Sequence, residues 1–163
     1  MGFFDKIKQA GRMLTGGGAK VYLEVGEAKL GEPIPVRVKA VVADADLKID
    51  AVYVRVIGEE IVELDSRDLV DKIRHSVADF AADGRLDDVV FRDDTYKTRI
   101  NISGPETLNA EDEIEWEGEI ELPPGSLPSY TGRRCKHVWR FFAGLDAAGN
   151  DPDSGWIEVQ VRA

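Results

Sequence analysis

Cysteine is almost missing from this chain: Cys135 stands alone among 163 residues. No intrachain disulfide can form, which suits a reducing compartment. Histidine is nearly as scarce, with only His75 and His137, so a thiolate–imidazole metal site would lack ligands. Positive charge is also short. The 21 lysines and arginines face 31 aspartates and glutamates, for a net charge of −10. Such a surface repels phosphate backbones, so no nucleic-acid partner is expected. Apolar runs stay well below the roughly 20 residues that span a bilayer. The first residues lack a signal peptide's long apolar core and small-residue cleavage site. Met1-Gly2 opens like a myristoylation motif, but Lys6 stands where that motif needs Ser or Thr. A cytoplasmic protein is the expectation, with contact at the inner face of the membrane as a variant of it.

What the chain does have is alternation. Glu113 to Leu122 reads Glu-Ile-Glu-Trp-Glu-Gly-Glu-Ile-Glu-Leu. A period of two sends Ile114, Trp116, Ile120 and Leu122 to one face of a strand and the five glutamates to the other. One face packs and the other is wet, as in an antiparallel sheet over a core. The same pattern marks strands at Lys20 to Val25, Ile34 to Val42, Lys48 to Ile61, Tyr96 to Ser103, Arg133 to Leu145 and Trp156 to Val161. In the third of these both faces are largely apolar, which suits a central strand. Gly58 marks a bulge or bend within it. Pro123-Pro124-Gly125 ends the glutamate strand. The connection after it is too long for a two-residue hairpin and suits a crossing between two sheets.

Gly2 to Leu14 is different. Phe3, Ile7, Ala10 and Leu14 recur at helical spacing, with Phe4 beside them and Lys6, Lys8 and Arg12 as a basic face. Such a stretch packs on its own domain, docks on a protein partner or lies on an anionic membrane. Phe3, Phe4, Lys6, Ile7, Lys8, Arg12 and Leu14 are therefore the candidate contact residues. Glycines 16–18 then break the chain as a hinge; no Gly-Lys-Ser/Thr follows, so they form no phosphate loop. The expected organisation is an amphipathic segment over 1–15, a linker over 16–19 and one domain over 20–163. Leu69, Ile73, Val77 and Phe80 admit a helical insertion at about 67–82. The alternative there is an edge hairpin joining Ile61–Leu64 to Val89–Phe91 around a loose acidic loop.

Residues for chemistry are few. Cys135 and His137 fall side by side on a mostly apolar strand face. A hydrolase using Cys135 with His75 or His137 as base is the enzymatic alternative, and a buried structural cysteine is the plainer reading. Arg134, Lys136 and Arg140 share the other face. They would meet the glutamate row only if the two strands were neighbours in one sheet. The carboxylates Asp146, Asp151 and Asp153 sit in one turn, where a weak cation site is conceivable. No cofactor is expected.

Several segments resemble the arrestin-like family, and most closely the N-terminal domain of bacterial sporulation-control proteins. The start Met1-Gly2-Phe3-Phe4-Asp5-Lys6, the glycine break and Ala19-Lys20-Val21 look like that group's opening. Gly31-Glu32 resembles its turn, and Ile49-Asp50-Ala51-Val52-Tyr53-Val54 its third strand. Ile120-Glu121-Leu122-Pro123, then Pro128, then the strand Val138 to Leu145 with Asp146, is the most specific element. The resemblance implies an all-β, immunoglobulin-like antiparallel sandwich. It also implies a non-catalytic adaptor or regulatory scaffold that binds other proteins, and the surfaces expected to do so are an exposed sheet edge and the N-terminal segment. Self-association through either surface is a further expectation, and the alternative, from the residues of the basic N-terminal segment, is peripheral membrane attachment.

Overall fold

The computed structural model describes residues 15, 16, 18–64 and 89–163. The expected basic segment ahead of Thr15 and the expected helix at about 67–82 lie outside them. Among the described residues twelve strands follow in order: β1 (Thr15–Gly16), β2 (Ala19–Val25), β3 (Ala28–Lys29), β4 (Pro33–Val42), β5 (Leu47–Leu64), β6 (Val89–Ser103), β7 (Glu106–Leu108), β8 (Glu113–Glu121), β9 (Tyr130–Thr131), β10 (Cys135–Ala147), β11 (Ile157–Val159) and β12 (Val161–Arg162). One sheet has the order β1-β2-β4-β8. The other runs β11-β10-β5-β6, with β7 added to β5 and β9 to β10. A short parallel pair, β12 with β3, ties the C-terminal end to the turn before β4. Gly16 and Ala19, at the two ends of the expected linker, are paired with each other through β1 and β2.

Alternation builds both layers. Along β4 every second residue from Ile34 to Val42 is buried, and the residues between stay half-covered. The two inner faces meet in one core. Val36 and Val38 come from the first sheet; Val52, Val54, Trp139 and Phe141 come from the second. In β5 the run Ala51 to Val54 is buried on both faces, as a strand between β10 and β6 must be. Gly58 does mark a bulge: the register slips between Gly58 and Glu59, where β6 carries the extra residue Thr95. A Cβ at Gly58 would lie 3.2 Å from the Trp139 ring, so the missing side chain makes room for that indole.

The strand pairing that the edge-hairpin alternative expected is present. Leu64 pairs with Val89 and Val62 with Phe91, so β6 starts seven residues before the expected Tyr96. The connection over 123–132 does carry the chain from the first sheet to the second. The glutamate row and the Arg134, Lys136, Arg140 row therefore lie on different sheets and never meet. Lys136 pairs with Glu63 at 3.2 Å and Arg140 with Glu59 at 3.0 Å instead.

Candidate interaction surface

Strand β8 closes one side of the first sheet, and among the described residues no strand pairs with its outer edge. Which backbone groups are free there can be worked out from β4. The Pro35 carbonyl accepts from Gly26 N at 2.8 Å, on the β2 side, and Ala43 N donates to Gly18 on that side too. Val42 N donates to the Asp112 carbonyl, on the β8 side. Odd-numbered residues of β4 thus bond toward β2, and even-numbered ones toward β8. Their partners across β8 are Ile114, Trp116, Gly118 and Ile120. The remaining backbone pairs, those of Glu113, Glu115, Glu117, Glu119 and Glu121, point to the open edge. Pro35 lacks a donor on the β2 side, where β2 has run out.

Among the described residues, each of these glutamates therefore has no strand partner for its sideways N–H and C=O, and it holds an exposed carboxylate upward. Beside them on β4, Arg37 lies 3.0 Å from Glu117, 3.8 Å from Glu115 and 3.7 Å from Glu24 of β2. Lys39 pairs with Glu113, and this hydrogen bond is the main cause that raises the lysine pKa. The outer face of β2, β4 and β8 holds Lys20, Arg37 and Lys39 against Glu24 and the five glutamates of β8, so acid is in excess. On the inner side, Ile114 and Trp116 face the core yet remain half-exposed, because nothing described covers their outward flank. The Trp116 indole donates to Glu106 Oε1 at 2.7 Å.

The second sheet presents a different outer face. Arg99 lies 3.9 Å from the Tyr53 ring centre, and Arg55 lies 5.6 Å from that of Trp156. Phe142 packs between them, 5.1 Å from Trp156 and 6.3 Å from Tyr53. Arginine on aromatic rings gives a stiff surface, and here it is closed by internal pairs such as Arg99 with Asp146.

Where the second sheet's inner face runs past Trp139, a polar–aromatic cluster replaces the aliphatic core. His137 is 1% exposed, and its Nε2 sits 2.7 Å from Thr95 Oγ1. Tyr130 donates to Glu60 Oε1 at 2.6 Å, and this bond is the first reason its phenol pKa is pushed up to about 12. Cys135 is half-buried, more open than a core cysteine, because its cross-strand neighbour Val62 is only partly covered and Phe91, beyond Val62 on β6, is exposed. Its thiol adjoins Tyr130. His137 is engaged by Thr95 through Nε2, and its Nδ1 makes no well-formed hydrogen bond. His75 lies outside the described residues. The three turn carboxylates do not converge. Asp146 binds Arg99, Asp151 takes Tyr53 and Ala147 N, and Asp153 takes Gly155 N. No group of three metal-ligating side chains occurs among the described residues.

The cluster should make stability pH-dependent. Burial lowers the His137 pKa below 6.5, outweighing the Pro128 backbone and Glu60, which raise it. The unfolded chain then binds a proton that the folded one refuses. Stability should be full above about pH 6.5 and fall as pH drops toward the folded-state value. Urea titrations between about pH 7.5 and 5.5 should show a steeper loss in the wild type than in His137→Phe. Equal slopes would mean that His137 is not the group responsible.

The glutamate side chains were legible from the sequence as an outer row. The edge position of their strand was not, since that depends on pairing order. Neither Tyr130–Glu60 nor Thr95–His137 carried a local signal, each joining residues far apart in the chain.

No family model matches the chain, and no curated protein matches it. Among solved structures, the fold is similar to the crystal structure of Spo0M, the sporulation control protein of Bacillus subtilis. The TM-score is 0.61 at 14% identity, over 90% of this chain and 50% of that one. The chain spans half the length of that structure. The architecture expected from the sequence is the one observed: an all-β antiparallel sandwich, with a fold like that of this solved structure.

Proposed function

We propose that this sandwich is a regulatory scaffold without catalytic activity, which takes up an extended segment of a partner protein along the open edge of β8. The observation that carries this reading is the ladder on the five glutamates, unpaired among the described residues and flanked by the half-exposed Ile114 and Trp116. An edge strand of 9 residues left open is a template for another chain. The structural likeness to a sporulation control protein supports a regulatory role over an enzymatic one.

Amide exchange in the isolated protein tests the edge. The amides of Glu115, Glu117 and Glu119 should exchange fast, and those of Trp116 and Gly118, bonded to β4, slowly. A proline at position 119 removes only an edge donor, so Glu119→Pro should stay folded, at a cost near 1 kcal/mol. Extended peptides selected from a random display library should bind the wild type and not this variant. A selection yielding no peptide sensitive to Glu119→Pro would overturn the reading.

A further inference from the structure

The geometry points to a particular occupant for this edge: a partner strand that alternates basic and apolar residues, laid antiparallel to β8. This inference rests on the proposed function and adds to it the partner's chemistry and register. In an antiparallel ladder, residues directly opposite each other project to the same face. A residue set against Glu115, Glu117 or Glu119 would therefore stand beside a carboxylate on the outer face. Its chain neighbours would turn inward, over Ile114, Trp116 and the β6 residue Ile102, which fills the space above Gly118.

The fold already contains one solution to this problem. On the other side of β8, the stretch Val36-Arg37-Val38-Lys39-Ala40 is an alternating strand of that kind. Its Arg37 stands opposite Glu117 and its Lys39 opposite Glu115, and both form ion pairs with the row. These two bases do not neutralise five glutamates. No ion pair reaches Glu119 or Glu121 among the described residues, so the row has capacity for a second basic neighbour. The same row disfavours a second copy of β8, whose glutamates would fall directly opposite these and repel them. The edge is thus closed to its own kind and open to a basic strand.

The test uses the full chain and three synthetic peptides matched to the 9 residues of β8. One alternates lysine and valine, one alternates glutamine and valine, and one holds the lysines and valines of the first in separate blocks. Binding is read by amide shifts across Glu113–Glu121 and by salt dependence. The alternating lysine peptide should bind about tenfold or more tighter than the glutamine one at low salt, and this advantage should shrink at high salt. The double variant Glu115→Gln/Glu119→Gln should weaken it about threefold to tenfold, and Glu119→Pro should remove binding altogether. Equal binding of the glutamine peptide would overturn the basic-partner inference while leaving the edge reading intact. Equal binding of the block peptide, indifferent to Glu119→Pro, would show plain charge attraction and overturn the register. Failure of all three peptides would overturn the inference, while amide exchange and peptide selection decide the edge reading separately.

Discussion

Trp139→Ala should remove about 3 to 5 kcal/mol of folding stability, a large share of what a domain of this size possesses. The indole is fully buried at the point where the two layers and the crossing loop meet. Gly58 passes beneath the ring with no side chain to obstruct it. Tyr96 packs at 5.5 Å and His137 edge-on at 5.4 Å. The indole N–H donates to the Leu127 carbonyl at 2.9 Å, holding the 123–132 connection against the second sheet. Alanine would open a cavity and strand that carbonyl at once. Phenylalanine would keep most of the volume and lose only the donor, so Trp139→Phe should cost less, about 1 to 3 kcal/mol. Urea unfolding measures both, with an unchanged denaturant slope showing that the folded and unfolded states remain comparable. A loss below about 1 kcal/mol for Trp139→Ala would mean that the sheets do not close over this ring.

The strands that alternate were readable because a half-buried strand can satisfy water and core only with period two. β2, β4 and β8 follow that rule, and β5 and β10 depart from it as central strands should. The residues near the chain's special features were harder. Val89 to Asp94 carries valine, phenylalanine, arginine and aspartate without clean alternation, so β6 appeared shorter than it is. Its pairing comes from β5, with Arg92 reaching Glu59 at 3.2 Å. The β3–β12 pair joins two residues to two others across most of the chain, and two residues hold no period at all. Cys135 looked like a core residue because it shares a face with Trp139 and Phe141, but its row stands at the strand's end, where cover runs out. For the candidate surface, the sequence showed the glutamate side chains. The free backbone groups became visible only through Pro35, Val42 and the order of the sheet.

The second large effect is expected at Gly144. In most strands, replacing glycine by valine helps, since a β-branched residue suits the extended backbone. Here a Cβ would lie 2.4 Å from the Tyr53 hydroxyl and 2.5 Å from the ring carbon bearing it. Tyr53 is the cross-strand neighbour of Gly144 and folds its ring over the bare backbone, an arrangement that compensates for the missing side chain. The ring has little freedom to leave. It is 4% exposed, with Arg99 on its face, Phe142 beside it and Asp151 accepting from its hydroxyl at 3.3 Å. Burial and the Asp151 carboxylate raise its pKa, so it stays a donor at neutral pH. Gly144→Val should therefore cost about 2 to 4 kcal/mol, through overpacking and loss of these contacts. It should also loosen the turn held by Asp151, seen as faster exchange at Ala147, whose amide that carboxylate accepts. The cause can be isolated. In a Tyr53→Ala background the obstruction is gone, and the same valine should cost less than about 1 kcal/mol. If Gly144→Val is as damaging without the ring as with it, the glycine is required by the backbone itself and not by Tyr53.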